Sequence, residues 1–378
     1  MKKKKLLRLT TVDISLDILI KGQLRYMSGY FDVVAVSADT GRLEAVGKRE
    51  GVRTVAVPMA REISIGRDIR SLFALISLFR RERPDIVHAN TPKGSLLAMM
   101  AAFVCRVPHR IYLVTGFRFE TTHGLLRFVL KTMERITCLC ANKVVPESDG
   151  VARLLRSEHI TWRPLKKTHN GNINGVDLAY FSRTPEVEDA ARALRSEAFT
   201  FIFIGRIVRD KGVNELVEAF VRLHAENPAT RLLLVGKFEE KLDPLSSDTR
   251  RTIEEHPAIE TLGYQADVRP ALCASRALVL PSYREGFPNV VLQAGAMGLP
   301  SVASRVNGAE ECIIEGRNGL LVPCRDAESL FRSMQRLAGD PELCNRMGAA
   351  AREIVASRYM QQDVWAATLA MYKEELSR

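Results

Sequence analysis

A carboxylate and an amide occupy a glycine-containing segment that could contact a phosphorylated sugar. Glu285 and Gly286 follow the apolar run 277–280, and the helical pattern 290–297 comes directly after them. Glycine lets a backbone approach a ligand closely, and the first N–H groups of a helix favour an anion. Gln293 lies about two helical turns after Glu285, so it can reach the same cleft. The segment predicts a strand–loop–helix site, with a plain helix cap as the alternative.

A second segment of the same kind carries two basic side chains. The apolar run 199–205 ends at Gly205, and Arg206 and Lys211 follow it before the amphipathic run 213–224. Arginine can bind two phosphate oxygens in a fork, and lysine supplies a mobile point charge. The pattern predicts a pyrophosphate-binding loop. A solvated basic loop is the alternative.

Together these residues resemble the donor-domain signature of family-4 retaining glycosyltransferases. The signature consists here of Gly205-Arg206 with Lys211-Gly212, then Glu285-Gly286-Phe287-Pro288-Asn289, then Ala294-x-Ala296-x-Gly298. Segments 174–177, 308–311 and 318–320 are similar to other parts of the family, so the resemblance covers nearly the whole chain. Segments 84–88 and 91–93 look most like bacterial enzymes that build capsular or other surface polysaccharides on a lipid carrier.

The resemblance implies a fold and an activity. The fold is α/β with GT-B architecture, in which two Rossmann-like, doubly wound parallel-sheet domains face each other across a cleft. The activity is retaining hexosyl transfer from a nucleotide diphosphate sugar, expected to be a UDP-sugar, to a lipid-diphosphate-linked or polysaccharide-precursor acceptor. No cofactor is expected, and no metal either, since no Asp-x-Asp pair is present. The alternatives are a sugar-nucleotide epimerase of the same fold and a noncatalytic nucleotide-sugar-binding protein.

The resemblance also assigns roles to residues on the donor side. Arg206 and Lys211 would hold the donor diphosphate and stabilise the leaving nucleotide, and Glu285 would hydrogen-bond the sugar hydroxyls. The expected donor-binding set is Gly205, Gly286, Phe287, Pro288, Asn289, Gln293, Tyr264 and Gly22. Gln293 departs from the family, which usually has a second glutamate there, because glutamine keeps one acceptor oxygen but has no charge.

The acceptor side is expected in the loop after the predicted strand at 110–115. Thr115, Gly116, Arg118 and Glu120 are its candidate residues, and the histidine that many relatives carry in this loop is absent. Arg118 or Glu120 could take a polar role at the reacting centre. A salt bridge within the loop is the alternative for either side chain.

Twelve short apolar runs, separated by helical patterns, must position these loops. They are 6–12, 31–37, 52–57, 85–89, 110–115 and 143–145 in the first half, and 201–205, 231–236, 260–263, 277–280, 301–303 and 320–322 in the second. The alternation predicts two parallel sheets, whose ligands bind beyond the carboxyl ends of the strands. We expect an acceptor-binding domain at 1–178, a linker at 179–197, a donor-binding domain at 198–357 and a C-terminal helix at 358–378 that returns to the first domain.

Positive charge is concentrated in the first half of the chain. Residues 1–170 contain 30 Lys and Arg against 15 Asp and Glu, whereas the remainder contains 25 against 29. The basic residues are dispersed and no nucleic-acid-binding motif accompanies them, which argues against nucleic acid as a partner. An anionic membrane surface and a diphosphate-linked lipid acceptor are the expected partners. A role in solubility alone is the alternative.

Several classes of protein are disfavoured by what the sequence lacks. It has no Gly-Lys-Ser or Gly-Lys-Thr phosphate loop, no His-Glu-x-x-His zinc motif and no Gly-x-Gly-x-x-Gly after the first apolar run, which argues against an ATPase, a zinc enzyme and a dehydrogenase. The seven scattered cysteines favour a reducing compartment. The long uncharged stretch 287–304 contains prolines and is not a spanning segment. The expected location is cytoplasmic, with peripheral attachment to the inner face of the cytoplasmic membrane as an option.

Overall fold

Two six-stranded sheets, both entirely parallel, organise the chain in the computed structural model, which describes residues 3–60, 64–239 and 243–377. The chain divides into two units, one made of residues 1–174 and 361–378 and the other of residues 175–360. All twelve predicted strands are present, with boundaries that differ by a few residues at most. The α/β fold class with two doubly wound parallel sheets is thereby confirmed.

The sheet of the first unit has the strand order β3-β2-β1-β4-β5-β6. Its strands are β1 (Lys5–Val12), β2 (Asp32–Ala38), β3 (Arg53–Ala56), β4 (Ile86–Ala89), β5 (His109–Val114) and β6 (Lys143–Pro146). The helices between and after them are α1 (Asp13–Leu19), α2 (Gln23–Ser28), α3 (Leu43–Glu50), α4 (Ile65–Glu82), α5 (Pro92–Val104), α6 (Gly124–Cys140) and α7 (Asp149–Ser157).

The sheet of the second unit repeats this order as β9-β8-β7-β10-β11-β12. Its strands are β7 (Phe199–Ile204), β8 (Thr230–Val235), β9 (Ile259–Gly263), β10 (Ala277–Leu280), β11 (Ser301–Ser304) and β12 (Gly319–Val322). Its helices are α8 (Pro185–Ala191), α9 (Val213–Glu226), α10 (Ser247–Glu255), α11 (Arg269–Cys273), α12 (Asn289–Ala296), α13 (Ala309–Cys312), α14 (Ala327–Gly339) and α15 (Pro341–Arg358). Apart from Thr200, the central strands β7 and β10 consist of apolar residues, because helices cover both faces of the sheet.

The segment expected as a linker, 179–197, lies within the second unit. Its acidic stretch forms α8, which begins at Pro185 after the side chain of Thr184 accepts a hydrogen bond from the Val187 N–H group. Val187 and Ala191 are buried in the core of that unit. The helix therefore contributes to the packing of the second unit.

The last helix, α16 (Gln361–Leu376), belongs to the first unit. The Tyr372 hydroxyl lies 2.5 Å from His88 Nδ1, and Trp365 Nε1 donates to Asn174 Oδ1 at 2.7 Å. Burial, together with the nearby Arg8 guanidinium, holds the pKa of His88 well below its usual range, so the ring is neutral. The helix is thus fastened to the first unit by two hydrogen-bonded aromatic groups, of which Tyr372 is fully buried.

A buried carboxyl group lies on the inner side of α6. The Tyr112 hydroxyl and Glu134 Oε2 are 2.6 Å apart, and burial raises the pKa of Glu134 to about 7. The folded state therefore favours the protonated acid, whereas the unfolded chain ionises near its ordinary value of 4.5. The contribution of Glu134 to stability is greatest below pH 4.5, falls as the pH rises, and is least above pH 7.

We expect Glu134→Gln to stabilise the protein at pH 8 by about 3 kcal/mol, because the neutral amide removes the cost of a buried charge. At pH 4.5 the gain should vanish. Urea unfolding at both pH values measures the difference, with the exposed Glu44→Gln as a control that should change little at either pH. A stabilisation that is the same at both pH values would contradict the assignment.

Candidate active site

The sheet topology brings the two predicted donor loops together. In the second sheet the chain leaves β7 toward β8 and β9, then returns to form β10 on the other side of β7. Ligands of open parallel sheets bind at such a switch point, beyond the carboxyl ends of the strands. The loop after β7 carries Arg206 and Lys211, and the loop after β10 carries Glu285. The strand order therefore explains why segments more than seventy residues apart form one site.

A close ion pair joins the two loops. Lys211 Nζ lies 2.5 Å from Glu285 Oε1, and the side chains are 21% and 14% exposed. Arg206 lies on the same loop as Lys211, is more exposed, and pairs with Glu239 at 2.7 Å. Both predicted phosphate-binding cations thus already face carboxylates, with which a bound diphosphate would compete. The cluster can bind an anion through two cations and sugar hydroxyls through one carboxylate.

Two glycines allow the loops of this edge to touch. Gly212 begins α9 with a φ of +68°, and a Cβ there would lie 2.0 Å from the Pro281 carbonyl oxygen. Gly308, in the loop after β11, has a φ of +69°, and a Cβ there would lie 2.2 Å from the Gly286 carbonyl oxygen. Any larger residue would separate these backbones. Gly212 therefore allows the Lys211 loop to touch Pro281 before Glu285, and Gly308 allows the loop after β11 to touch Gly286.

Hydrogen bonds behind the ion pair fix the same two loops. The Tyr283 N–H donates to the Asp210 carbonyl at 2.9 Å, and Arg284 Nε lies 3.3 Å from Asp210 Oδ2. The Tyr283 hydroxyl donates to Glu215 Oε1 at 2.6 Å. Burial, reinforced by this hydrogen bond, raises the pKa of Tyr283, which keeps the hydroxyl protonated as a donor. Asp210, Glu215 and Tyr283 were not singled out from the sequence, although each lies within four residues of a residue that was.

The remaining residues of the predicted sugar-binding segment lie around the start of α12. Phe287 is buried and packs edge-to-face on Tyr359 with ring centroids 5.6 Å apart, and Pro288 is also buried. Asn289 is the first residue of α12, and Gln293 lies half-buried one turn later. The aromatic contact anchors the loop, so Glu285 and the start of the helix stay on the outer side of the core.

Gly205 and Tyr264, both in the expected donor-binding set, directly follow the strands β7 and β9. The Gly205 N–H, directly after β7, donates to the Val235 carbonyl at 2.9 Å. This hydrogen bond places the loop after β8 beside Gly205. Lys237, in that loop, has its Nζ 5.5 Å from the centre of the Tyr264 ring. Tyr264 is exposed and follows β9. The role of Tyr264 in donor binding remains a prediction.

Five of the predicted site residues lie in the first unit, whereas Lys211 and Glu285 lie in the second. Gly22 precedes α2, and its N–H donates to Glu50 Oε1 at 3.0 Å. Thr115 donates its hydroxyl to the Asn90 carbonyl at 3.0 Å, and Gly116 follows with a φ of +108°. Arg118 is exposed and Glu120 half-buried, on either side of the buried Phe119. Their donor and acceptor roles stay predictions.

The switch point of the first sheet, between β1 and β4, has polar groups that the sequence did not indicate. Thr11 and Thr91 have their hydroxyls 2.8 Å apart, and the Gly94 N–H donates to Thr11 Oγ1 at 2.9 Å. Asn90 is fully buried at the end of β4, and neither its amide nitrogen nor its oxygen has a hydrogen-bond partner among the described residues. An unremarkable asparagine after an apolar run is a weak sequence signal, because only the topology places it at a switch point.

Comparison with known proteins agrees with this geometry. The family described as "Glycosyl transferases group 1" matches residues 198–340, and "Glycosyltransferase Family 4" matches residues 24–172. A glycogen synthase from Mycobacterium tuberculosis is 31% identical over 344 residues, which cover 85% of this chain and 80% of that protein. The chain belongs to the family-4 glycosyltransferases.

The names of two bacterial relatives of this glycosyltransferase specify a polymer in one case and a donor and an acceptor in the other. A capsular polysaccharide biosynthesis glycosyltransferase, CapM from Staphylococcus aureus, is 29% identical over 375 residues, or 98% of this chain and 97% of that protein. An Escherichia coli protein named UDP-Gal:alpha-D-GlcNAc-diphosphoundecaprenol alpha-1,3-galactosyltransferase is 28% identical over 321 residues, or 83% and 81% of the two chains.

Solved structures share the fold of this glycosyltransferase. Sucrose-phosphate synthase from Thermosynechococcus elongatus superimposes with a TM-score of 0.82 at 19% identity, covering 99% of this chain and all of that one. Anabaena HepE in complex with UDP and glucose gives a TM-score of 0.78 at 17% identity, covering 98% and 100%. The GT-B architecture is thereby confirmed.

Within residues 3–60, 64–239 and 243–377 of this glycosyltransferase, no helix combines the length and the apolar character needed to cross a bilayer.

Proposed function

We propose that this glycosyltransferase moves a hexose from a UDP-sugar, with retention of anomeric configuration, to a lipid-diphosphate-linked acceptor during assembly of a bacterial surface polysaccharide. The proposal rests above all on the convergence of Arg206, Lys211 and Glu285 at the switch point of the second sheet. The near-full-length similarity to CapM supports the polysaccharide assignment. The names of the E. coli relative and of the HepE complex support the nucleotide and the lipid diphosphate.

The proposed roles follow from the charges of the cluster. Arg206 and Lys211 bind the donor diphosphate and offset the negative charge that grows on it as the glycosidic bond breaks. This stabilisation makes UDP a good leaving group without a metal. Glu285 accepts hydrogen bonds from the sugar hydroxyls and so orients the anomeric carbon. The acceptor hydroxyl then attacks the anomeric carbon on the face from which UDP departs and passes its proton to the departing diphosphate oxygen, which gives retention.

A transfer assay with the full-length protein tests the function. The donors are UDP-galactose, UDP-glucose, UDP-N-acetylglucosamine and GDP-mannose, and the acceptor is a polyprenyl diphosphate that carries N-acetylglucosamine. We expect one UDP-sugar to be transferred, with an α-linked product in its NMR spectrum and the same rate in the presence of a chelator. Loss of transfer in chelator that manganese restores would contradict the metal-independent route.

Other outcomes of the same assay would replace the proposal. Conversion of the donor into another sugar nucleotide without any acceptor would identify an epimerase. Nucleotide binding without turnover of any donor would identify a noncatalytic binding protein. Both outcomes are read from the same nucleotide analysis, so one experiment separates the three functions.

Gln293 provides a graded test of the donor site. The side chain lies one turn into α12, where a carboxylate would accept a stronger, charge-assisted hydrogen bond from a ribose hydroxyl than the amide oxygen does. We expect Gln293→Glu to tighten UDP binding about fivefold, equivalent to about 1 kcal/mol. Calorimetric titration with UDP measures the change. Gln362→Glu adds the same charge at an exposed position of α16 and should leave the affinity unchanged; equal effects of the two variants would exclude a ribose contact for residue 293.

A further inference from the structure

The polarity of α6 is the reverse of that expected for a helix packed on a soluble domain. Its buried positions include Glu134 and Thr137, whereas Leu125, Phe128 and Leu139 are 77%, 62% and 65% exposed. These three lie along one side at spacings of three and eleven residues, with Ile136 beside them, so they form a stripe about 20 Å long. A surface helix normally turns its apolar stripe toward the core. The stripe of α6 faces outward.

Exposed apolar side chains also occur on the helices α4 and α5 and at Trp162. Sixteen large apolar side chains are exposed in the described part of the chain, and twelve of them lie on α4, α5 and α6 or at Trp162. Helix α5 packs against both α4 and α6. Arg110 connects α5 to the end of α6, since its guanidinium lies 5.6 Å from the Phe103 ring and its Nε donates to the Cys140 carbonyl at 2.7 Å. Trp162 is 84% exposed, and its neighbour Arg163 donates to the Cys138 carbonyl at 3.1 Å.

Basic groups accompany this apolar face. Residues 103–140 contain six Lys and Arg against two Asp and Glu, and Glu134 is one of the two. Glu158 directly follows α7 and forms two ion pairs with α6. Its carboxylate lies 2.7 Å from Arg127 and 2.6 Å from Lys131. Arg110 and Arg163 cap the end of α6, and Arg106 and Lys166, which lie within four residues of them in the sequence, are exposed. The face is therefore apolar at its centre and positively charged around it.

We propose that this face, defined by Leu125, Phe128, Ile136, Leu139, Phe103 and Trp162, docks on the surface of an anionic bilayer. A helix with exposed leucine and phenylalanine side chains and flanking Lys and Arg binds in the interfacial plane, where the apolar groups enter the acyl boundary and the cations meet lipid phosphates. The proposal deepens the proposed function and rests on its lipid-linked acceptor, which would be presented at the same surface.

A bilayer fits this face better than a second copy of the chain. A symmetric contact would bring the same positively charged groups of two molecules against each other, and like charges at close range repel. An anionic membrane instead complements both the apolar stripe and the charge. The excess of Lys and Arg in residues 1–170 extends the attraction beyond the contact itself.

Vesicle sedimentation with the full-length protein tests the docking face. Vesicles of phosphatidylcholine with and without phosphatidylglycerol are used, with no donor or acceptor, so the result does not depend on sugar transfer. We expect binding to the anionic vesicles that weakens as salt is added. Leu125→Ser/Phe128→Ser/Leu139→Ser should lower the partition coefficient by about tenfold or more. Ile18→Ser/Ile314→Ser, which removes two exposed apolar side chains elsewhere, should bind as the wild type does.

Three results would overturn the proposal. They are an absence of binding to anionic vesicles, equal binding of the triple variant and the wild type, and a dimer in gel filtration that the triple variant dissociates. Circular dichroism and thermal unfolding of the triple variant establish that it is folded, which is expected because all three side chains are exposed. Soluble-acceptor transfer by that variant should be unchanged; if transfer fails in the wild type while vesicle binding follows expectation, the proposed function is wrong and the docking face stands.

Discussion

Glu285→Gln is expected to lower kcat/KM for sugar transfer by about a thousandfold while the affinity for UDP stays within about threefold of the wild type. The carboxylate is proposed to contact the sugar, which UDP lacks, so the loss should fall on the transition state and not on nucleotide binding. Lys211→Met should behave differently, because its cation is proposed to bind the diphosphate. It should weaken UDP binding as well as transfer.

A purely structural role for the Lys211–Glu285 pair predicts a different pattern. Glu239→Gln is the matched control, since it also removes the carboxylate partner of a loop cation and should leave transfer within a fewfold of normal. The double variant Lys211→Glu/Glu285→Lys keeps an ion pair but exchanges the positions of its two charges. It should therefore be as stable as the wild type without regaining transfer. Full activity in the exchanged protein would show that the pair serves only to hold the loops.

Gly212→Ala is expected to destabilise the second unit by about 3 kcal/mol or more and to abolish measurable UDP binding. The new Cβ would lie 2.0 Å from the Pro281 carbonyl oxygen, which neither backbone can accept without moving. That movement would separate the loop of Lys211 from the loop of Glu285. Urea unfolding and calorimetric titration with UDP measure the two consequences.

Gly316→Ala separates the clash from the cost of the left-handed backbone. Gly316 lies in the same unit with a φ of +76°, and a Cβ there would meet no atom within 4 Å. This variant should lose only about 1 kcal/mol and keep UDP binding. If the two alanine variants were equally destabilised, the contact between Gly212 and Pro281 would have no special role.

The sequence indicates much of this fold because its signals are local. Apolar runs such as 199–204 and 277–280 are short, flanked by polar residues and separated by helical patterns, so the strands and their order along the chain can be predicted. The loops with glycine, Arg206, Lys211 and Glu285 could be recognised for the same reason. The pairing of Lys211 with Glu285 could not, because it depends on β10 lying beside β7.

Other features depend on packing that no local pattern encodes. The acidic stretch after residue 184 reads as a linker, yet α8 forms there because Val187 and Ala191 find a place in the second core. In α6 the structure buries Glu134 and exposes Leu125. Helical periodicity shows that a helix has an apolar side but not which side meets the sheet. The same limit applies to Asn90, whose position at a switch point follows only from the strand order.

Calorimetric titration of the full-length protein with UDP and with uridine tests most directly whether Arg206 and Lys211 hold the donor diphosphate. UDP should bind at least about a hundredfold more tightly than uridine, because only UDP carries the charges that the two cations contact. Lys211→Met and Arg206→Met should each reduce the affinity for UDP by about tenfold or more and leave that for uridine unchanged. Equal affinities for UDP and uridine, or variants that bind UDP as the wild type does, would contradict the account.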